Sequence, residues 1–308
     1  MMKNLVYCVR CCALSTLLLL VCQAAVAGDA PKKILFFSKS FDFEHPMVAE
    51  PNGQPSQAQK ILTELGKANH YEFTFTKDGS LFTADNIAKY DAFFFYTQGD
   101  LCVRGIDGTP GMSAEGKAAF LEAIHNGKGF IGTHSASDTF HSGGLNKMGP
   151  GRWKNDGDDA DPYIKMIGGE FIIHGSQQRA RQIVVDKTFP GMSAVPDDFR
   201  PLEEWYSLKN FAPDLHVLLV QDTSMMNKQG GNQNAYDRPN YPSTWAHKYG
   251  KGRVFFTSMG HRPDVWTNPV FRQVLLGGIN WAVGNVEADV TPNLEKAAPE
   301  ASVLPPAP

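Results

Sequence analysis

Cysteine is nearly absent from the working part of this chain: of five in 308 residues, Cys8, Cys11, Cys12 and Cys22 fall near the start and only Cys102 lies beyond them. A disulfide framework is thereby excluded for the remainder, and stability has to come from a hydrophobic core. Free cysteine is usually a small buried hydrophobe, so Cys102 is expected to be a half-buried structural thiol, with a nucleophile as the less favoured reading. After the first 27 residues no apolar run approaches the length that crosses a bilayer, so no membrane span is expected there. Charge of one sign is lacking too. Lys and Arg number 29 against 32 Asp and Glu, and the basic residues are scattered, which argues against nucleic acid or an anionic membrane as partner and leaves a small neutral ligand as the default. No two histidines have the i, i+4 spacing of a helical zinc motif, and there is no internal repeat. The acidic stretch NDGDDAD at 155–161 misplaces the glycine and terminal glutamate of an EF-hand loop and reads as a solvated loop.

What is present begins with a leader-like segment. Lys3 and Arg10 precede the apolar core Leu17–Val21, and Ala25-Val26-Ala27 supplies small residues for cleavage, so residues 1–27 read as a signal peptide and the mature chain is expected from near Gly28. An exported protein, periplasmic or secreted, follows. Cys22 raises lipid anchoring, but Val21 fills the preceding position where a small residue is wanted, which makes a lipoprotein the weaker reading.

From Pro31 the pattern alternates. Residues 33–38, KILFFS, form a continuous apolar run of the kind buried on both faces of a parallel sheet. A helix follows Pro55-Ser56, with Ala58, Ile61, Leu62 and Leu65 on one face. Residues 71–76 and 91–97 read as strands around a short helix at 83–89; a helix from Ser113 to Gly127 then leads into a strand at 129–133. Further strands are expected at 182–186, 216–221 and 253–258, the last joined by the turn Tyr249–Gly252 to 243–247, and a final helix runs from about Pro269 to Val283. The βαβ order requires right-handed crossovers and predicts an α/β fold, a doubly wound, mostly parallel sheet flanked by helices in a single domain over 28–286. Residues 287–308 are Pro/Ala-rich and are expected to be disordered. Residues 141–162, rich in Gly, Asp, Asn and Pro, read as a functional loop.

Ligands in such sheets bind beyond the carboxyl ends of the strands, and His134 ends one of them. A histidine merely bonded to backbone at a helix start is the alternative. Histidine also marks FEHP (43–46), GGEFIIHG (168–175), TWAHKYGKGR (244–253) and SMGHR (258–262). His70, His125 and His216 lie beside or within regular runs and read as surface or packing residues, and His247 is ambiguous.

In order along the chain, IGTHSASDTF, MIGGEFIIH, LEEWYS, YGKGRVFFTSMGHRPDVW and LLGGINWAVG resemble the successive motifs of the trehalose-utilisation (ThuA-like) family, over nearly all of Lys33–Gly284. The resemblance implies the class I glutamine amidotransferase-like, flavodoxin-like fold. It does not imply amidotransferase activity, because His134 stands where those enzymes carry a cysteine and imidazole cannot form the thioester. It implies catabolism of trehalose or a related glycoside, and 3-keto sugars as substrates. A ketone at carbon 3 acidifies the proton on carbon 2; the resulting enolate can expel the carbon 1 substituent or be reprotonated, which would make the protein a lyase, isomerase or hydrolase. His134, His174 and His261 are the candidate bases and electrophiles, expected to converge on one crevice. Glu44, His45, Asp138, Glu204, Trp205, Tyr206 and Trp266, with Glu203, are available to a small carbohydrate. The competing assignment for His45, His134, His174 and His261 is a divalent, zinc-like metal site. A non-catalytic carbohydrate-binding or scaffold protein and thiol chemistry at Cys102 are the other functional readings. The sequence is compatible with a homo-oligomer.

Overall fold

The apolar run at the start of the domain forms β1 (Lys32–Phe37), in which Ile34, Leu35, Phe36 and Phe37 are all buried, as a strand covered on both faces requires. The structure, a computed structural model, describes residues 30–143 and 150–307. The expected signal peptide and its cleavage point lie outside the described residues.

The alternation continues through α1 (Gln57–Asn69), β2 (Tyr71–Thr76), α2 (Ala84–Ile87), β3 (Ala92–Phe95), α3 (Ala114–His125) and β4 (Gly129–Thr133). The start of α1 is fixed by a capping box: the Ser56 hydroxyl accepts from the Gln59 amide at 3.2 Å, and the Gln59 side chain accepts from the Ser56 amide at 3.0 Å. The Ser113 hydroxyl caps α3 by accepting from the Gly116 amide at 2.9 Å. The second half contributes α4 (Pro162–Ile167), β5 (Glu170–His174), β6 (Gln178–Arg179), β7 (Gln182–Val184), β8 (Leu202–Glu203), β9 (Tyr206–Lys209), β10 (His216–Gln221), β11 (Tyr241–Tyr249) and β12 (Gly252–Thr257). It closes with α5 (Pro263–Thr267), α6 (Pro269–Ala282) and α7 (Leu294–Ala297).

Eight strands form one sheet in the order β2-β1-β3-β4-β12-β11-β10-β7. Neighbours from β2 to β12 are parallel, with β1, β3 and β4 adjacent as expected, and the last three strands add antiparallel. The parallel part has the flavodoxin-like order, with its switch point between β1 and β3. One face of the sheet packs against α1 and α6 through Leu62, Phe271 and Leu275; the other packs against α3 and α4 through Phe120, Ile124 and Ile164. No helix among the described residues is long and apolar enough to cross a membrane.

Two features depart from the sequence expectations. The segment after residue 286 is built onto the domain rather than disordered. Ala298 and Ala301 are buried, Arg238 donates to the Ala301 carbonyl at 2.7 Å, and the Asn293 side chain bonds both backbone groups of Val217. Low apolar content misleads here because small alanines fit against the core and backbone groups supply the remaining anchors. Second, β5 pairs antiparallel with β9, and β6 with β8, as two separate ribbons. These strands of two to five residues are too short for a periodicity to register.

Candidate functional site

Parallel strands deliver their following residues to one edge, and that geometry gathers the histidines. His45 follows β1, His134 follows β4, and His261 follows β12. The β6/β8 and β5/β9 ribbons bring Glu203, Glu204, Tyr206 and His174 to the same place, with His174 paired to Tyr206 in register. His134 adopts φ 45°, a left-handed conformation that costs an ordinary L-residue about 1–2 kcal/mol. The strained turn sends its ring back across the end of the sheet. Gly260, at φ 125°, lets the chain after β12 pass close to Trp266, Thr133 and His134.

One donor atom from each of His45, His134, His261 and Glu204 lies within 4.8 Å of the other three. His134 Nε2 is 3.2 Å from His261 Nδ1 and 3.5 Å from Glu204 Oε2, and His261 Nδ1 is 3.1 Å from that same oxygen. On its other side the His134 ring lies with Nδ1 3.1 Å from the Ser258 carbonyl, to which it donates. This fixes the tautomer and leaves the Nε2 lone pair at the centre of the cluster. Burial, followed by the neighbouring imidazoles, holds His45 well below the ordinary histidine range. Burial lowers His134 as well, against the opposing pull of Glu204. Both therefore offer neutral nitrogens. His45 Nδ1 is buried with no hydrogen-bond partner among the described residues, while its Nε2 is 3.4 Å from the Tyr206 hydroxyl.

Glu204 is ionised: burial raises its pKa, but the surrounding imidazoles of His134, His261 and His174 outweigh that and hold it far below the usual carboxylate range. Its neighbour Glu203 goes the other way. Burial pushes Glu203 up to about 7 although it accepts from the Gly260 amide at 2.5 Å, the His261 amide at 2.6 Å and the Glu204 amide at 3.2 Å. Glu203 thus fixes the turn that carries His261.

A buried polar chain stands behind this cluster. His141 bonds Asp138 at 2.6 Å and Glu170 at 3.0 Å. Gln98 donates to Asp138 at 3.0 Å and accepts from the Asp42 and Phe43 amides at 3.2 and 3.3 Å, so the chain ends on the loop that bears His45. His141 and Gln98 lie in no motif of the sequence, and Glu170 lies within GGEFIIHG without standing out, because their partners are brought together only by the sheet.

The remaining sequence candidates divide. His174 stands outside the four-donor group, its ring stacked on Tyr206; the fourth donor is Glu204 and not the expected His174, which meets the other oxygen of that carboxylate, with Nδ1 3.5 Å from Oε1. Glu44 pairs with Lys77 at 2.7 Å and is not in the donor group. Asp138 lies in the polar chain, and Tyr206 lies in ring contact with His134 at 4.1 Å. Trp205 and Trp266, expected to offer aromatic faces to a sugar, are fully buried; their N–H groups donate to the carbonyls of Gln178 and Gly260. Their bulk fills the core beneath the site instead. His247 is buried on the Met166 carbonyl, and His216 bonds Asp186, so both are structural. Cys102 is not in the donor group, and its thiol is pushed up by burial and Asp100.

The sequence profile of the ThuA family, described as trehalose utilisation, matches residues 33–282. A solved ThuA-like protein from Bacteroides uniformis ATCC 8492 is 19% identical, with a TM-score of 0.60 over 84% of this chain and 94% of its own. Another, from Parabacteroides merdae ATCC 43184, is 20% identical, with a TM-score of 0.54 over 87% of this chain and 96% of its own. At these identities the likeness establishes the fold. No curated protein matches the chain.

Proposed function

The chain belongs to the ThuA, trehalose-utilisation family, and from that premise we propose that it catalyses proton transfer on a 3-keto sugar derived from trehalose or a related glycoside, beside a divalent metal. The observation that carries the metal is the four-donor group of His45, His134, His261 and Glu204. Its chemistry fits a zinc-like ion: two imidazoles kept neutral, one carboxylate kept ionised, a His134 tautomer fixed from behind, and a buried His45 nitrogen without a partner. Such an ion, when bound, supplies a Lewis acid for a ketone or enolate oxygen.

The chain's own residues would do the rest. His174, with its side chain 40% exposed, points Nδ1 at the Gly175 carbonyl (3.0 Å) and at Glu204, which leaves Nε2 to take the carbon 2 proton. The electron pair of that C–H bond enters the enolate. Expulsion of the carbon 1 substituent, whose departing oxygen takes the proton from His174, completes an elimination, and return of the proton to the opposite face of carbon 2 completes an isomerisation. Buried Tyr206 and His134 exclude water from the inner wall.

The test is metal content and product analysis together. Protein dialysed with zinc should retain one ion per chain, His45→Ala and Glu204→Ala should lose it, and wild type should convert 3-keto-trehalose. A protein that retains no zinc, nickel, cobalt or manganese and leaves the keto sugar unchanged removes this reading; sugar binding without turnover would favour a carbohydrate-binding protein. We also propose export, on the leader-like residues 1–27, which the intact mass of protein recovered from outside the cytoplasm would test.

A further inference from the structure

We propose that Phe43 is the platform on which the apolar face of the sugar ring rests, an inference that builds on the carbohydrate reading above. A pyranose presents a face of C–H groups, and sites that hold one usually pair polar donors with an aromatic ring open to solvent. The aromatic residues that the sequence offers for this role cannot fill it. Trp205 and Trp266 are fully buried with both N–H groups bonded, and Tyr206 is packed between His134, Phe171 and His174.

Phe43 is different. It is 53% exposed, and it is the one aromatic among the large apolar residues exposed in the described parts of the chain. Its ring stands edge-on to the His45 imidazole, with centroids 4.9 Å apart and planes at 88°. An exposed phenyl group on a free loop would carry no message, but this one is tethered. Its amide and that of Asp42 both donate to Gln98 Oε1, and Gln98 in turn donates to buried Asp138. The backbone that carries the ring is therefore held in place, and the ring lies against His45, one of the four donors. A sugar lying on it would sit against the His45 edge, with its hydroxyl and carbonyl groups toward Glu204 and the histidines. Phe43 acts in binding and specificity, and no proton or bond changes at it.

Two variants test this. With 3-keto-trehalose as probe, Phe43→Trp should retain turnover, and its exposed indole emission should shift to the blue and saturate as sugar is added. Phe43→Ala should lose about tenfold in kcat/KM, carried by KM, equivalent to about 1.4 kcal/mol of binding. Unchanged emission at sugar concentrations that saturate turnover, or a wild-type KM in Phe43→Ala, overturns the platform. A wild-type protein that leaves the keto sugar intact while the Phe43→Trp emission still shifts defeats the proton-transfer reading and sustains the platform. Absence of both turnover and shift overturns both.

Discussion

At the scale of single residues, the left-handed backbone at His134 is the local cost of aiming an imidazole into the donor group. His134→Ala keeps that cost and loses the ring, so turnover of a 3-keto sugar should fall by about a hundred- to ten-thousandfold while circular dichroism stays that of wild type. Full turnover in this variant would remove His134 from the chemistry. Cys102→Ser should leave turnover at the wild-type level, because burial and Asp100 keep the thiol protonated and it lies outside the donor group. A dead Cys102→Ser protein would move the chemistry to the thiol. The histidines at strand ends were legible in the sequence because a strand is readable from its apolar run and the residue after it is then placed by topology. Glu204 was legible as a ligand for sugar but not as the fourth donor, since the register of β8 and β9 decides which carboxylate turns inward. His141 was not legible at all. It lies three residues from Asp138 in an irregular turn, and its second partner, Glu170, reaches it only through tertiary packing.

At the scale of elements, the loop between β1 and α1 owes its position to Gln98, which closes two of its amides and hands the restraint on to Asp138. Gln98→Ala should therefore weaken zinc retention by about ten- to a hundredfold without touching a proposed ligand, as loss of an outer partner does in other metal sites. Competition against a chelator measures this, and an unchanged affinity would show that the loop holds His45 unaided. The segment after α6 makes a second elementary contribution. β7 pairs with β10 only over residues 219–221, so the Val217 backbone is completed by the Asn293 side chain at 2.7 and 3.2 Å. Asn293→Ala leaves a buried amide unpaired and should cost about 1–3 kcal/mol, read from urea denaturation; no loss would mean that this anchor is replaceable by water. The long strands and helices follow the sequence because their apolar periodicity and capping residues agree. The Pro/Ala-rich segment does not, because composition counts apolar area and takes no account of a receiving groove.

At the scale of the whole molecule, the buried His141 cluster couples stability to pH. Burial lowers the His141 pKa, but the hydrogen bonds that it donates to Asp138 and Glu170 outweigh this and raise the net value above the ordinary 6.5. Arg152 and Lys209 are the other charges nearby, Arg152 4.0 Å from Asp138 and Lys209 3.9 Å from Glu170. A raised histidine pKa contributes stability that is complete below about 6.5 and is lost as pH climbs through the folded value. Neutral His45 and His134 act in the opposite sense, so the informative quantity is the difference between wild type and His141→Gln. That difference should shrink as pH rises above about 6.5 in urea denaturation; a constant difference would mean that folding leaves the His141 pKa unchanged. The strand order carries one more consequence, in the time domain. β12 is the last strand made, yet it lies inside the sheet, between β4 and β11. Until Gly252–Thr257 has been synthesised and has inserted, β4 keeps an open edge and His261 has no route to His134. Long-range parallel pairing of this kind is slow to form, and the donor group cannot be complete before β12 lies beside β4.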